Sequence, residues 1–279
     1  MYIKYGKFQR IMITRVLTQD MPCVPYKEHT HNTNQHRGQL KLFLGELEFL
    51  MDYFCEQKDP VWAMEHTLIV YAGAAPGNHI LDLIPWLPGT YWHLYDPCEF
   101  DDRLYRHPNV RCFQARFTDT IARDYSSRKT IFISDIRSAV PDKSRHYSRY
   151  AKQEDDIRVE AGVWQDMKTQ ETWYRLMQPE RASLKFRPPY DYTFLKGGHI
   201  TCLEGKIYLQ VFAPKNSTET RLIVCGDGQA VQDLDCARYE QQMAYFNQVL
   251  RGQDYDQECM DMIMLRAKLQ YESSAMIST

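Results

Sequence analysis

The chain has 279 residues, 44% of them hydrophobic and 25% charged, and a formal net charge of −2. This profile fits a folded protein with a sizeable core, most simply one decorated domain. No apolar run reaches a bilayer span, and the N-terminus lacks an apolar region followed by a small-residue cleavage site, so neither a membrane nor secretion is implied. The eight cysteines (23, 55, 98, 112, 202, 225, 236 and 259) form no Cys-x-x-Cys pair, as expected of reduced thiols in an intracellular protein.

Residues 1–36 read as an N-terminal arm and loop. Lys4, Lys7, Arg10 and Arg15 stand there before any acid, and the stretch from 20 to 38 is rich in Pro, His, Asn and Gly. Cys23 with His29, His31 and His36 matches no zinc spacing, and no metal site is expected. A helix follows, because Leu40, Phe43, Leu44, Leu47, Leu50, Met51 and Phe54 recur at three- and four-residue steps. Lys41, Gly45 and Glu48 fall on its other side, where Gly45 would let another segment approach.

The stretch Val70 to His79 (Val-Tyr-Ala-Gly-Ala-Ala-Pro-Gly-Asn-His) passes from a buried strand, Thr67 to Tyr71, through a sharp turn at Gly73 into helical sequence after Pro76-Gly77. Glycine lets backbone approach a ligand closely, and a strand-to-helix turn is expected to aim unpaired N–H groups at it. The pattern is neither the Gly-x-Gly-x-x-Gly dinucleotide fingerprint nor a P-loop, so the ligand should be nucleotide-like but neither NAD nor ATP. A helix from Asn78 to Trp86 leads to a second strand, Tyr91 to Asp96. Asp96 comes 23 residues after Gly73, where an acid at a strand end accepts hydrogen bonds from ribose hydroxyls.

Val110 to Phe117 predicts a third strand and Asp119 to Tyr125 a short helix. Lys129 to Ile136 is a nearly continuous apolar run, as in a strand covered on both faces, with Asp135 at its carboxyl end. From Arg103 to Lys152 there are twelve Lys/Arg against four acids. Tyr105, Tyr125, Tyr147 and Tyr150 are interleaved, a pattern suited to single-stranded nucleic acid. A long helix over 155–177 precedes a fifth strand, Ala182 to Phe186. Lys206 to Phe212 and Thr220 to Cys225 follow as strands six and seven, joined by a loop too short for a parallel crossover and therefore antiparallel. Helices over 237–250 and 258–271 close the chain. An open, mostly parallel seven-stranded α/β sheet with an antiparallel terminal hairpin is the arrangement of class I (Rossmann-like) S-adenosylmethionine-dependent methyltransferases.

Lys41, Asp135, Lys185 and Glu219 stand at related places in this arrangement and resemble the Lys-Asp-Lys-Glu tetrad of RNA ribose 2'-O-methyltransferases. The wider pattern comprises Gly38-Gln39-Leu40-Lys41-Leu42 with Leu44-Gly45-Glu46-Leu47, Val70-Tyr71, Ala75-Pro76-Gly77, Ile133-Ser134-Asp135 with Arg137-Ser138, Ser183-Leu184-Lys185, and Phe212-Ala213-Pro214 before Glu219. It resembles the poxvirus-type cap-specific mRNA 2'-O-methyltransferases, which also serve as the small processivity subunit of poly(A) polymerase. The resemblance runs from about Arg37 to Asn247 and implies an arm over 1–36, a methyltransferase domain over 37–272 and a tail over 273–279.

The resemblance further implies that Gln39, Leu42, Tyr71, Gly73, Gly77, His79, Asp96, Arg116, Thr118, Asp135 and Ile136 bind S-adenosylmethionine. Tyr190, Asp191, Glu240 and Arg137 would meet capped mRNA, with its methylated guanine, as short single-stranded RNA. A poly(A) polymerase catalytic subunit is an implied partner, and a host cytoplasm the implied location. The chain departs from the family where a second cap-stacking ring is expected, at Asn216, for which Tyr26 and Tyr192 are candidate substitutes. A ribose hydroxyl needs a base, and lysine serves when positive neighbours and desolvation favour its neutral form. Lys185 is assigned that role, Lys41 supplies positive potential, and Asp135 and Glu219 orient the lysines. The competing readings are a non-enzymatic processivity subunit and a 2'-O-methyltransferase of internal or uncapped RNA.

Overall fold

The fold is built on a run of strands too apolar to face water. In the computed structural model, which describes residues 14–26, 37–138, 149–190, 198–252 and 254–277, β2 (Leu68–Ala72) and β5 (Thr130–Ser134) are buried almost throughout. With β3 (Tyr91–Tyr95), β4 (Val110–Phe113) and β6 (Arg181–Phe186) they form a parallel set in the order β4-β3-β2-β5-β6. Burial of β2 and β5 on both faces requires two covering layers. One contains α1 (Gly38–Cys55), α2 (Pro60–Glu65), α3 (Asn78–Leu83) and α8 (Tyr255–Ile277); the other contains α5 (Asp119–Asp124) and α6 (Arg149–Met177). Short α4 (Asp102–Tyr105) leads into β4.

Beyond β6 the direction reverses. β9 (Thr220–Cys225) pairs antiparallel with both β6 and β8 (Lys206–Leu209), as the short connection predicts. These seven strands have the class I methyltransferase arrangement. An eighth, β1 (Val16–Leu17), extends the sheet beside β8, within the stretch read from sequence as arm and loop. Two residues are too few to reveal alternation; a buried ion pair anchors them instead. Arg15 bridges to Glu48 on α1 and donates to the Leu209 carbonyl at 2.7 Å. Glu48, on the helix side opposite the apolar face, is therefore buried, and among the described residues a side chain added at Gly45 would meet nothing within 4 Å.

A separate two-stranded sheet, β7 (His199–Leu203) with β10 (Val231–Asp235), is absent from the sequence reading. Two acids and a glutamine in β10 give it little strand propensity. The strand expected over 206–212 ends at Leu209; Phe212 takes φ 54 and its N–H is held by Asp256. The helix expected over 237–250 is α7 (Cys236–Tyr245), capped by Asp235 and continued by a π-helical turn over Phe246–Leu250. Among the described residues no helix is long and apolar enough to cross a membrane.

Candidate active site

The carboxyl ends of the parallel strands carry the turn after β2. Gly73 has φ 83, and a Cβ there would lie 2.9 Å from the Asp135 carbonyl carbon and the Ile136 nitrogen, so only glycine lets the β2 and β5 ends approach this closely. Gly77, at φ 78, is the left-handed residue before α3, with Leu104 against it. Three of the N–H groups at this turn are already taken. Those of Gly73 and Ala74 donate to the Tyr95 carbonyl at 2.8 and 3.3 Å, and that of Ala75 to Asp96 Oδ2 at 3.2 Å. Asp96 follows β3 directly, and its second oxygen accepts the Cys98 N–H at 2.8 Å, which fixes the carboxylate plane.

Beside the turn lies a cleft of about 680 Å³ lined by Gly73, Asp96, Arg116, Asp135, Ile136, Arg137 and Lys185 among the predicted residues. Phe117, Trp173, Gln165, Asp166 and Thr169 also line it and were not anticipated; they come from the start of α5 and from α6. Gln39, Leu42, Tyr71, Gly77, His79 and Thr118 stand outside that lining. Gln39 Oε1 accepts both the backbone N–H of His79 and its ring at 3.1 and 3.0 Å. Behind them Glu46, buried in α1, takes the Tyr71 hydroxyl at 2.6 Å and approaches His79 Nε2 at 3.2 Å. Burial and the Glu46 charge push the Tyr71 hydroxyl well above its ordinary range. Thr118 caps α5 by accepting the Ile121 N–H.

The structure brings Lys41, Glu219, Lys185 and Asp135 into one chain of ion pairs. Lys41 Nζ is 2.7 Å from Glu219 Oε1, and Lys185 Nζ is 3.4 Å from Glu219 Oε2 and 3.3 Å from Asp135 Oδ1. Each side chain is only 12–16% exposed. Three further groups, two of them missed by sequence reasoning, complete the network. Arg221 pairs with Asp135 and donates to the Ser134 carbonyl at 3.1 Å, Gln210 donates to Glu219 at 3.2 Å, and Arg137 stands 3.9 Å from Glu219. Lys185 and Arg221 are direct cross-strand partners in the β6–β9 ladder, so that register was the signal for Arg221.

Burial alone would raise the Asp135 carboxyl, but Arg221 and Lys185 outweigh it and hold it below its usual range. Against the same penalty, Lys185, Lys41 and Arg221 hold Glu219 well below its own. Both acids are therefore anions that only accept hydrogen bonds, and Lys185 Nζ stands within ion-pair distance of both. A second concavity of about 500 Å³, between α1 and β8–β9, is lined by Arg15, Glu48, Glu56 and Arg181. Those charges are paired within the fold, Arg15 with Glu48 and Arg181 with Glu56.

The sequence profile of the family described as poly A polymerase regulatory subunit matches residues 11–266. The chain belongs to that family. A cap-specific mRNA (nucleoside-2'-O-)-methyltransferase of fowlpox virus is 30% identical over 246 residues, 81% of this chain and 72% of the relative. The protein of the same description from myxoma virus is 29% identical over 235 residues, and the chain spans 62% of its length. Among solved structures, the multifunctional RNA-capping protein VP4 of bluetongue virus aligns with 73% of this chain and 33% of its own, at 14% identity and TM-score 0.44.

In this member of the poly A polymerase regulatory subunit family, Tyr190 follows β6 with its ring 40% exposed. The Arg187 guanidinium lies 4.2 Å from the ring centroid, and Glu160 holds both Arg187 and the Tyr190 N–H. The Tyr190 hydroxyl meets Thr218 Oγ1 at 2.6 Å, while the Tyr239 hydroxyl donates to the Thr218 carbonyl at 2.6 Å. Glu240 is the next residue on α7, so its neighbour Tyr239 is bonded to the loop that leads through Glu219 into β9. Tyr26 donates to the Asn216 carbonyl at 3.4 Å, which brings a ring to the residue where the family pattern lacks one. Asp191 and Tyr192 lie outside the described residues, as do His29, His31 and His36.

The basic block is more self-paired than its composition implies. Arg103 and Arg106 pair with Asp101 and Asp102, Lys129 with Glu180, and Arg128 sits over the Tyr125 ring. Tyr125 is buried, its hydroxyl between Tyr95 and His93, and is no stacking platform. Tyr105 is half exposed. The side chains of Lys143, Arg145, Tyr147, Arg149, Tyr150 and Lys152 lie outside the described residues.

Proposed function

We propose that this chain is a methyltransferase that moves a methyl group from S-adenosylmethionine to the 2'-hydroxyl of the first transcribed nucleotide of capped mRNA, converting cap 0 to cap 1. The observation that carries the reading is the ion chain Lys41–Glu219–Lys185–Asp135, two of whose members line the cleft. The cleft suits the donor: about 680 Å³ is ample for a nucleoside with a short side chain, Asp96 presents an oriented carboxylate for ribose hydroxyls, and Phe117 and Ile136 supply apolar walls. Gln39, held by His79, lies on the α1 side for the amino-acid end.

Bound S-adenosylmethionine supplies a methyl group already activated for in-line attack. What remains for the protein is to orient the ribose hydroxyl and accept its proton. Lys185, which lines the cleft with Asp135 and Glu219 beside its Nζ, is the group for both: as the neutral amine it takes the hydroxyl proton on its nitrogen lone pair and becomes the ammonium that the two carboxylates hold. Lys41 and Arg137 engage Glu219 from other directions and keep that carboxylate from swinging toward the hydroxyl.

For the cap, Tyr190 supplies one ring and Glu240 an acid for the base edge, as the family pattern implies. The contact of Tyr26 with Asn216 favours Tyr26 as the second ring, so that a methylated, cationic guanine stacks between two tyrosines. The deciding experiment is transfer of labelled methyl to short RNAs bearing a methylated cap, an unmethylated cap or none. Product at the first ribose only with the methylated cap is expected; equal labelling of uncapped RNA would replace this reading with an internal 2'-O-methyltransferase. The family description also favours a second role as partner of a poly(A) polymerase, tested by co-purification with the catalytic subunit and by product length in its presence.

A further inference from the structure

β5 and β6 keep parallel register up to Ser134 and Leu184 and then part. The Asp135 N–H points to the Ala72 carbonyl of β2, at 2.9 Å, as strand alternation requires, and β5 ends at Ser134, so no further strand residue follows there to pair with the Lys185 carbonyl. Parting strands open the space a ligand enters, but they strand backbone donors and acceptors that must be satisfied where they are buried. Gln170 of α6 fills the vacated position. The Lys185 N–H donates to Gln170 Oε1 at 3.0 Å, and Gln170 Nε2 donates to the Lys185 carbonyl at 3.1 Å. One side-chain amide thus bonds both main-chain groups of Lys185 at the point where β5 ends. Gln170 is 1% exposed.

One turn earlier on α6, Asp166 holds the segment that leaves β5. It accepts the Ser138 N–H at 2.9 Å and the Ser138 hydroxyl at 2.6 Å, and it too is buried. Residues four apart share a helix face, so a single rigid helix grips both sides of the fork. We propose that Gln170 is a positioning residue for Lys185, and that with Asp166 it sets the separation of the two strand ends between which the ribose hydroxyl is received. This rests on Lys185 acting on that hydroxyl. The amide touches no reacting atom; it works by fixing the main chain from which a four-carbon side chain must place Nζ between two carboxylates. A strand terminus lacking that bond would fray, and a displacement near 1 Å at a reacting group costs on the order of 100-fold in rate.

Gln170→Glu tests the claim with almost no change of shape: the carboxylate still accepts from the Lys185 N–H but opposes the Lys185 carbonyl. In the folded variant, donor affinity by calorimetry and KM for capped RNA should stay within about threefold of wild type while kcat falls on the order of 10- to 100-fold. Gln170→Leu, which removes both bonds, should lose at least as much. A purely structural role predicts instead a lower Tm with kcat of the folded protein unchanged, and kcat within about twofold of wild type would overturn the proposal. Should the variants not fold, amide hydrogen exchange on the wild-type chain decides: the Lys185 amide is expected to exchange as slowly as the interior amides of β6, and exchange at an open-loop rate overturns the clamp. A wild-type chain that binds the donor yet methylates no RNA would instead refute the functional reading, with the exchange measurement still deciding whether Gln170 holds Lys185.

Discussion

Replacing Arg221 with methionine removes the most buried cation of the ion network while keeping most of its aliphatic volume. Its side chain is 7% exposed and Asp135's is 16%. Breaking a buried pair from one side costs about 3–5 kcal/mol because the remaining charge stays desolvated. Here Asp135 retains Lys185 at 3.3 Å, which favours the lower end, and the Ser134 carbonyl loses a donor worth about 1 kcal/mol. The expected loss is about 3–4 kcal/mol, a fall in Tm on the order of 10 °C for a chain of this size. The acid limb should move as well. A carboxyl held below its unfolded-state value stabilises the fold above that value, and the contribution is lost as pH falls through the folded one. Arg221 is the leading cause that lowers Asp135 against burial, so without it the carboxyl rises and unfolding begins at higher pH. Urea titrations from pH 3 to 8 measure both effects, and a cycle with Asp135→Asn isolates the pair, since removing both charges should cost clearly less than the two single losses together. Additive losses, or a loss under about 1 kcal/mol at pH 7, would refute the reasoning.

Lys185→Ala should reduce methyl transfer at least 100-fold while donor binding, followed by calorimetry, changes only a few-fold; near-normal turnover would end its assignment as the proton acceptor. Gly73→Ala introduces a Cβ 2.9 Å from backbone atoms at φ 83, and should lower stability by about 2 kcal/mol or more in urea and weaken donor binding at least tenfold, which an unchanged affinity would contradict. Glu48→Ala leaves Arg15 buried without its carboxylate and should cost about 3–5 kcal/mol, read from the urea midpoint; a loss near zero would mean that β1 is not anchored through this pair. His93 is held down at about 4 by burial first and then by Arg111 and Arg128, so the unfolded chain takes up the proton more readily. Its contribution is complete above about pH 6.5 and is lost as pH falls toward 4; His93→Gln should flatten stability across that window, and an unaltered slope would assign the dependence elsewhere.

What could be read from the chain, and what could not, divides along the range of the interactions. β2, β5 and α1 announce themselves because solvent exclusion writes a local pattern, a run of apolar residues or a three-to-four-residue repeat. The β8–β9 hairpin was legible for a comparable reason: a loop too short for a crossover leaves one topology. Lys41, Asp135, Lys185 and Glu219 come from four separate elements, and only their resemblance to a family pattern joined them; their pairing distances had no signal in spacing. Three of the groups missed entirely are polar side chains that bond main chain. Arg221 satisfies the Ser134 carbonyl, Gln170 the strand end at Lys185, and Asp166 the segment that leaves β5 at Ser138. In sequence each looks like a solvated residue, because α6 is polar along its length and its buried acids and amides sit among exposed ones. A sheet that opens at its carboxyl edge to admit a ligand must leave main-chain groups there without strand partners, and something polar and buried has to meet them. The demand for such residues follows from the fold; which residues answer it follows only from three-dimensional contact, and in this chain α6 supplies two of them from a single face.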